Sequence, residues 1–240
     1  MPRFFTDIIG EREIILDGEN AKHISRSLRS KIGDELVICD GRGMDYKTKI
    51  IEITTDTVTA QILESYSCIT ESPCDITLFQ AMPKSDKLEL IIQKAVELGV
   101  NKIVPVLSEF CVSRPDEKTF RKKLERYNKI ALEAAKQCGR GVIPTVENIA
   151  SYSECLEQMK LSESSIMFYE HADSSLRQAL APQKKSLAIL IGSEGGFSEK
   201  EVELARQNNI SICTMGHRIL RCETASFYAL SAISYQYEQE

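Results

Sequence analysis

The sequence predicts an α/β protein in which a mostly parallel sheet, with helices on both faces, follows a small β-barrel. Three observations predict it. From about residue 75 onward, short apolar runs alternate with helical patterns, the arrangement of a parallel sheet buried on both sides. Before that point the chain holds short β-branched runs separated by turn residues, the pattern of a small barrel. Near the C-terminus two apolar runs, Ser186 to Ile191 and Ile210 to Met215, lead into polar, Gly-bearing loops, the place where open α/β sheets bind ligands.

In chain order, Glu13 to Leu16 reads as a short strand and Gly18 to about Arg29 as one helix. Asp34 to Cys39, Asp45 to Ile53 and Thr57 to Leu63 are strand-like and rich in β-branched residues, with Asp40-Gly41-Arg42-Gly43 as hairpin turn chemistry. Tyr66 to Pro73 has no period and reads as a linker. The expected division is a barrel over residues 1–72 and an α/β domain over residues 73–240. In the second, Ile76 to Gln80 is a strand, Asp86 to Leu98 a helix closed by Gly99, Lys102 to Leu107 a strand and 117–138 a long basic helix. Glu154 to Met159 and Leu176 to Leu180 are short helices flanking the strand Ser165 to Tyr169. After the two loop-bearing strands, a final helix runs from about Ala225 to Gln236.

The 240 residues are 42% hydrophobic, enough for one large domain or two modest ones. No apolar run has the length of a membrane span, and the segment Met1 to Asp7 lacks the basic-then-apolar layout of a signal peptide. Eight cysteines, at positions 39, 68, 74, 111, 138, 155, 213 and 222, include no C-x-x-C pair and fit neither a zinc site nor a disulfide framework. Reduced thiols in a cytoplasmic protein without a metal are the natural expectation. A net charge of −5 speaks against nucleic acid, but its distribution does not. Lys118, Arg121, Lys122, Lys123, Arg126, Lys129, Lys136 and Arg140 crowd one stretch against only Glu125 and Glu133, and Lys22, Arg26, Arg29 and Lys31 form a second cluster. Such clusters are either solvated faces or local RNA contacts.

The first Gly-bearing loop, Gly192 to Ser198, lacks the lysine and hydroxyl of a P-loop and the spacing of a dinucleotide fingerprint. Glu194 within it would repel phosphate. Ser198 with Glu201 supplies a capping box for the helix that follows. Spacing alone leaves a small-molecule pocket and a tight strand-to-helix turn both open. The second loop adds Arg218, Arg221 and Glu223 around apolar Ile219 and Leu220, more charge than a connection requires.

GSEGGFS at 192–198, followed by MGHRILRCETA at 215–225, resembles the motif pair of the SPOUT-type ribosomal RNA uridine-N3 methyltransferases, the RsmE family. Members of that family typically read G-P-E-G-G-[FL]-[ST] and L-G-x-R-[IV]-L-R-x-E-T-A. Further matches follow in order upstream: His23-Ile24 with Leu28-Arg29, Asp40-Gly41, Gln93 to Val100, and Glu133 to Arg140. The resemblance spans nearly the whole chain. Departures are Ser193 where proline is usual, Met215 for leucine and Cys222 where threonine or alanine is common; His217 occupies a variable position.

The resemblance implies a PUA-like β-barrel followed by a SPOUT domain whose C-terminal loops thread as a trefoil knot, an exception to unknotted topology. It implies S-adenosylmethionine as methyl donor. Backbone groups of Ile191, Gly192, Ser193, Glu194, Gly195, Gly196, Met215, Gly216, Ile219 and Leu220, with Thr224 and Ala225, would hold it, and Tyr169 and Glu170 would line the same pocket. The implied acceptor is N3 of a uridine in small-subunit ribosomal RNA, within the assembled subunit. That nitrogen is a poor nucleophile until deprotonated, when charge moves to the ring oxygens; Arg221 first and Arg218 second are expected to stabilise it. Glu223 would orient Arg221, act as base, or cap the final helix. Glu194 would be a base or position the loop, and His217 could transfer a proton. N3 lies on the Watson–Crick edge, so the target is unpaired or flipped out.

The barrel is expected to grip flanking RNA through Arg3, Lys22, Arg26 and Arg29, with His23 stacking on RNA or packing beside Leu28, and Lys84 and Arg140 extending the track. Ala225, Ala229 and Ala232, with Ile233, form a small-residue stripe suited to close packing, and the family implies a homodimer. Two alternatives stand beside this reading: a SPOUT enzyme acting on ribose 2′-hydroxyls of transfer or ribosomal RNA, and an inactive RNA-binding assembly factor.

Overall fold

The computed structural model describes residues 1–238. They divide into two compact units, Met1–Glu71 with Ala135–Ile143 and Ser72–Ala134 with Pro144–Glu240. No helix among the described residues is long and apolar enough to cross a membrane.

The first unit is built on a five-stranded sheet. Its strands are β1 (Arg3–Phe5), β2 (Glu13–Leu16), β3 (Glu35–Cys39), β4 (Met44–Ile53) and β5 (Val58–Ser67), in the order β1-β3-β4-β5-β2. The period-2 pattern of β2 puts Ile14 and Leu16 inside and leaves Ile15 exposed. With Phe4, Ile24, Leu36, Ile38, Ile50 and Val58 they form this unit's core. At the β3–β4 turn the Asp40 carboxylate accepts the N–H groups of Arg42 at 2.7 Å and Met44 at 3.0 Å, an aspartate-stabilised turn.

Three sequence expectations shift here. β1 has no apolar alternation to announce it, and it forms as a parallel edge against β3. The strand expected over Thr57 to Leu63 continues as β5 through Ser67, so the expected linker begins later; Met44, Asp45 and Tyr46 opposite supply ladder partners that periodicity does not reveal. The expected helix from Gly18 to Arg29 is α1 (Gly18–Lys22) followed by a π-helical turn, His23–Ser27. Ser25 donates its hydroxyl to the Ala21 carbonyl at 2.7 Å, drawing that turn away from regular α geometry.

Residues 135–143, which the sequence assigns to the α/β domain, are counted with the first unit. The Gly43 N–H donates to Gly141 O at 3.1 Å, the Ile143 N–H to Gly41 O at 3.3 Å, and the Cys39 thiol to Gly141 O at 3.1 Å. Arg42 and Val142 form an antiparallel bridge.

The second unit alternates strands and helices: β6 (Asp75–Ala81), α2 (Lys87–Glu97), β7 (Lys102–Leu107), α3 (Glu117–Cys138, whose last turn is counted with the first unit), β8 (Thr145–Val146), β9 (Ala150–Ser151), α4 (Tyr152–Met159), β10 (Ser164–Phe168), β11 (Ser174–Ser175), α5 (Leu176–Ala179), β12 (Ser186–Ile191), α6 (Glu199–Gln207), β13 (Ser211–Thr214) and α7 (Cys222–Glu238). The strands pair parallel in the order β11-β13-β10-β12-β6-β7-β8, with β9 also on β7. The central strands β6, β10 and β12 are buried apolar runs, as a sheet covered on both faces requires. α6 opens with the expected capping box, the Ser198 hydroxyl accepting the Glu201 N–H and the Glu201 carboxylate accepting the Ser198 N–H. Because β13 pairs with β10 rather than with its chain predecessor β12, the loops after β12 and β13 lie at the same edge of the sheet on either side of β10. α7 then packs against α2 and β12, with Ala229, Leu230 and Ile233 buried.

Candidate active site

The two Gly-bearing loops line one cavity of about 190 Å³. From the first come Ile191 to Phe197, and from the second Thr214 to Gly216, Arg218 to Leu220, Cys222 and Ala225. Tyr169 and Glu170, at the end of β10, complete it with Phe168. Of the expected donor-binding residues only Thr224 is outside this lining; it is exposed on the first turn of α7.

The chain bends tightly to make this cavity. A methyl on Gly192 would lie 3.1 Å from the Gly196 Cα and 3.2 Å from the Phe197 ring, so a larger residue would push these two parts of the loop apart by a few tenths of an ångström. Gly216 has a φ of +101°, which side chains with a Cβ rarely adopt. A buried network fixes the loop from behind. The Ser226 hydroxyl donates to Gln80 Oε1 at 2.6 Å, and Gln80 Nε2 donates to the carbonyls of Ala81 at 3.0 Å and Gly192 at 3.3 Å. Ser226, Gln80 and Ala81 are fully buried and Gly192 is half-buried, so α7 and the first loop hold a common position.

S-adenosylmethionine fits this cavity. Ile191 and Leu220 offer apolar surface to a purine, the bare glycine backbone offers N–H and C=O groups, and Glu170 and Glu194 oppose the charge of a sulfonium. The Ser193 hydroxyl is buried with no protein partner, a polar group left for a ligand to satisfy.

Lys87, at the start of α2, is a charged residue beside the site that the sequence does not single out. Its ammonium lies 3.0 Å from Glu194 and 3.2 Å from Glu223, joining the first loop to the start of α7. The Lys84 N–H also reaches both Glu194 oxygens, at 3.2 and 3.3 Å. Burial acts to raise the Glu194 carboxyl, but the hydrogen bond from Lys87 and those from backbone N–H groups outweigh it and hold it below its ordinary range. Glu223 is likewise held low against its burial, by its own backbone N–H, the Cys222 thiol and Lys87. The Cys222 thiol, pushed up to about 12 chiefly by burial, stays protonated and donates to Glu223 at 3.2 Å. A cation in the first turn of a helix opposes the helix dipole, and that mismatch was the available signal that Lys87 has anionic partners.

The side chains of Arg218 and Arg221 are exposed, with no hydrogen bond or ion pair to other described residues. Glu223 pairs with Lys87, and of the roles weighed for it, orienting Arg221 has no contact behind it. His217 is exposed in the second loop.

In the first unit, Lys22, His23, Arg26 and Arg29 are all exposed on the helix and the turn after it, and His23 sets its ring edge-on to Phe4 at 5.7 Å. Leu28, expected to pack, is 41% exposed because the chain leaves the helix at Arg29, where φ is +54°. Two expected RNA contacts are corrected. Arg140 is 3% exposed and donates to Glu71 at 2.6 Å, while the same carboxylate accepts the N–H groups of Gly141 at 2.7 Å and Val142 at 3.0 Å. Arg3 is turned inward, donating to Asp45 at 2.7 Å and to the carbonyl of Gly139. Both guanidiniums hold residues 135–143 to the sheet and are spent on internal carboxylates. In the second unit the Lys84 side chain is exposed.

Comparisons with known proteins agree with this geometry. The family model for an RNA methyltransferase domain matches residues 70–234, and one for an RNA methyltransferase PUA domain matches residues 16–63. The chain is 35% identical to the ribosomal RNA small subunit methyltransferase E of Bacillus subtilis, covering 99% of this chain and 98% of that one. The same-named protein of Buchnera aphidicola (subsp. Schizaphis graminum) is 33% identical, over 93% of this chain and 91% of its own length. The crystal structure of a ribosomal RNA small subunit methyltransferase E from Neisseria gonorrhoeae bound to S-adenosylmethionine superposes with a TM-score of 0.86 at 30% identity, covering 99% of this chain and 98% of that chain. The fold is the expected one, a SPOUT domain after a PUA-like unit, and the cofactor is S-adenosylmethionine. This chain belongs to the RNA methyltransferase family represented by ribosomal RNA small subunit methyltransferase E.

Proposed function

We propose that this enzyme methylates N3 of one unpaired uridine in small-subunit ribosomal RNA. The carrying observation is the convergence of both loops on one cavity, with the unpaired cations Arg218 and Arg221 on the second loop. Tyr169, Glu170, Ile191 to Gly196, Met215, Gly216, Ile219, Leu220 and Ala225 hold the donor, which supplies an electrophilic methyl on a sulfonium. Uracil N3 must lose its proton before it can form the new N–C bond, which would form as the donor's S–C bond breaks and leave a neutral thioether; until then the anion's charge rests on the two ring carbonyl oxygens. Arg221, with Arg218 on the same loop, meets that charge with paired planar donors. Glu194 and Glu223, kept ionised by Lys87, are weak bases, so stabilising the anion contributes more here than a strong acceptor for the proton.

Lys22, His23, Arg26 and Arg29 bind flanking RNA backbone, and Lys84 adds a cation in the second unit. The enzyme acts in the cytoplasm on the assembled small subunit, as a homodimer. Supporting the dimer, Ile219, Tyr228 and Tyr235 expose large apolar side chains on the second loop and α7, at 81%, 44% and 68%.

The test offers small subunits, or free ribosomal RNA, from cells lacking the protein together with labelled donor. The modified nucleotide is then mapped by reverse transcription and mass spectrometry. N3-methyluridine blocks the Watson–Crick edge and stops the transcriptase; a methyl confined to a ribose 2′-oxygen would refute the assignment.

A further inference from the structure

Phe110 lies between β7 and α3 and is 46% exposed. It sits directly on the first loop: a methyl on Gly195 would come within 2.8 Å of the Phe110 Cβ. Gly195 lines the donor cavity, so Phe110 abuts a residue of the cavity wall. The backbone on either side is held. The Glu109 N–H donates to the Glu201 carboxylate at 2.8 Å, the Cys111 N–H to Ser108 O at 3.3 Å, and Arg114 Nη1 to the same carbonyl at 2.6 Å. Ser108 and Cys111 are buried while the residue between these anchors shows its ring to solvent. Phe168 and Phe197, the phenylalanines of the cavity lining, are buried and belong to its wall.

A uridine offered to the donor has left its stack and needs a surface for its face, while Arg218 and Arg221 are assigned to its edge. We infer that Phe110 is the stacking platform for the target nucleobase. The inference rests on the proposed RNA substrate. A pre-positioned aromatic replaces the stacking that the base loses on extrusion, and it does so for a pyrimidine without reading its edge.

The chain contains no tryptophan, so Phe110→Trp introduces a lone fluorescent indole in contact with the expected base. With saturating donor already bound, a small-subunit ribosomal RNA transcript should quench its emission in a saturable way. Phe110→Tyr and Phe110→Trp should keep near-wild-type KM on small subunits, whereas Phe110→Leu and Phe110→Ala should raise it about tenfold or more. Donor affinity by calorimetry and oligomeric state by light scattering should be unchanged in all four. Wild-type KM in Phe110→Leu overturns the inference, as does unchanged emission with an RNA that Phe110→Trp methylates. Loss of donor binding or of the dimer in Phe110→Ala overturns it too, in favour of a loop-supporting role. A wild-type protein that binds donor and methylates no RNA would instead refute the substrate reading, and this inference with it.

Discussion

The Lys87 ammonium lies 3.2 Å from the Glu223 carboxylate, across the gap between the start of α2 and the start of α7. Because the same nitrogen reaches Glu194 at 3.0 Å, one cation ties together the segments that carry both halves of the donor cavity. Lys87 in turn is raised above its ordinary value, first by Glu194 and then by Glu223.

Lys87→Met should weaken donor binding by up to about tenfold, the scale of a partly exposed charge cluster, while Lys87→Arg should largely preserve it. The pH dependence follows from the shift directions. Glu194 and Glu223 are depressed, so their contribution to stability is present above their ordinary 4.5 and is lost as pH falls through their lower folded values. Lys87 is raised, so its contribution is present below its ordinary 10.5 and is lost as pH rises through its higher folded value. The Tm gap between wild type and Lys87→Met should therefore be widest between these limits and close toward both ends; a gap independent of pH would refute the charge linkage.

Arg221→Ala should lower kcat by about 10²- to 10³-fold while calorimetry finds donor affinity within a small factor of wild type. Arg221→Lys should recover only part of that loss, since an ammonium lacks the paired planar donors. Equal losses in donor affinity and turnover would assign Arg221 to donor binding instead.

Ser226→Ala leaves Gln80 Oε1 buried without its 2.6 Å donor and should cost about 1–3 kcal/mol in denaturant unfolding. The same change should weaken donor binding, because Gln80 also donates to the Gly192 carbonyl. A stability loss with donor affinity untouched would mean that the network supports the sheet alone.

Arg140→Ala should destabilise the first unit by roughly 3–5 kcal/mol, because it strands the half-buried Glu71 carboxylate. Arg26→Ala should leave Tm unchanged and reduce the salt slope of RNA binding by about one. Burial acts to raise Glu71, but Arg140 and two backbone N–H groups outweigh it and set it below its ordinary 4.5. Its contribution is present above that value and is lost as pH falls through the lower folded value, so Glu71→Gln should flatten the acid limb of the stability curve.

The elements most legible in the sequence were those whose signal is local. The buried runs of β6 and β12 and the capping box at Ser198 depend on residues next to one another, and so do the glycines of the two loops. The cavity lining followed, because both loops follow short apolar strands and carry the glycines themselves. What escaped depends on partners far along the chain. β1 is ordered by β3, and Glu71, in a stretch without period, is ordered by residues 140–142. Arg3 and Arg140 have the composition of RNA contacts, and only their carboxylate partners, Asp45 and Glu71, reveal otherwise. Lys87 is placed by two acids far along the chain, Glu194 on the first loop and Glu223 on α7.

Residues 135–143 return to the five-stranded sheet after an intervening stretch of the other unit, and their backbone closes hydrogen bonds that Gly41 and Gly43 begin. A single break at residue 72 would strip the N-terminal fragment of those partners, so the PUA-like unit is not a detachable bead. Recombination could exchange it between proteins only through several coordinated crossovers, and proteolytic nicking near residue 140 should loosen a sheet encoded a hundred positions earlier.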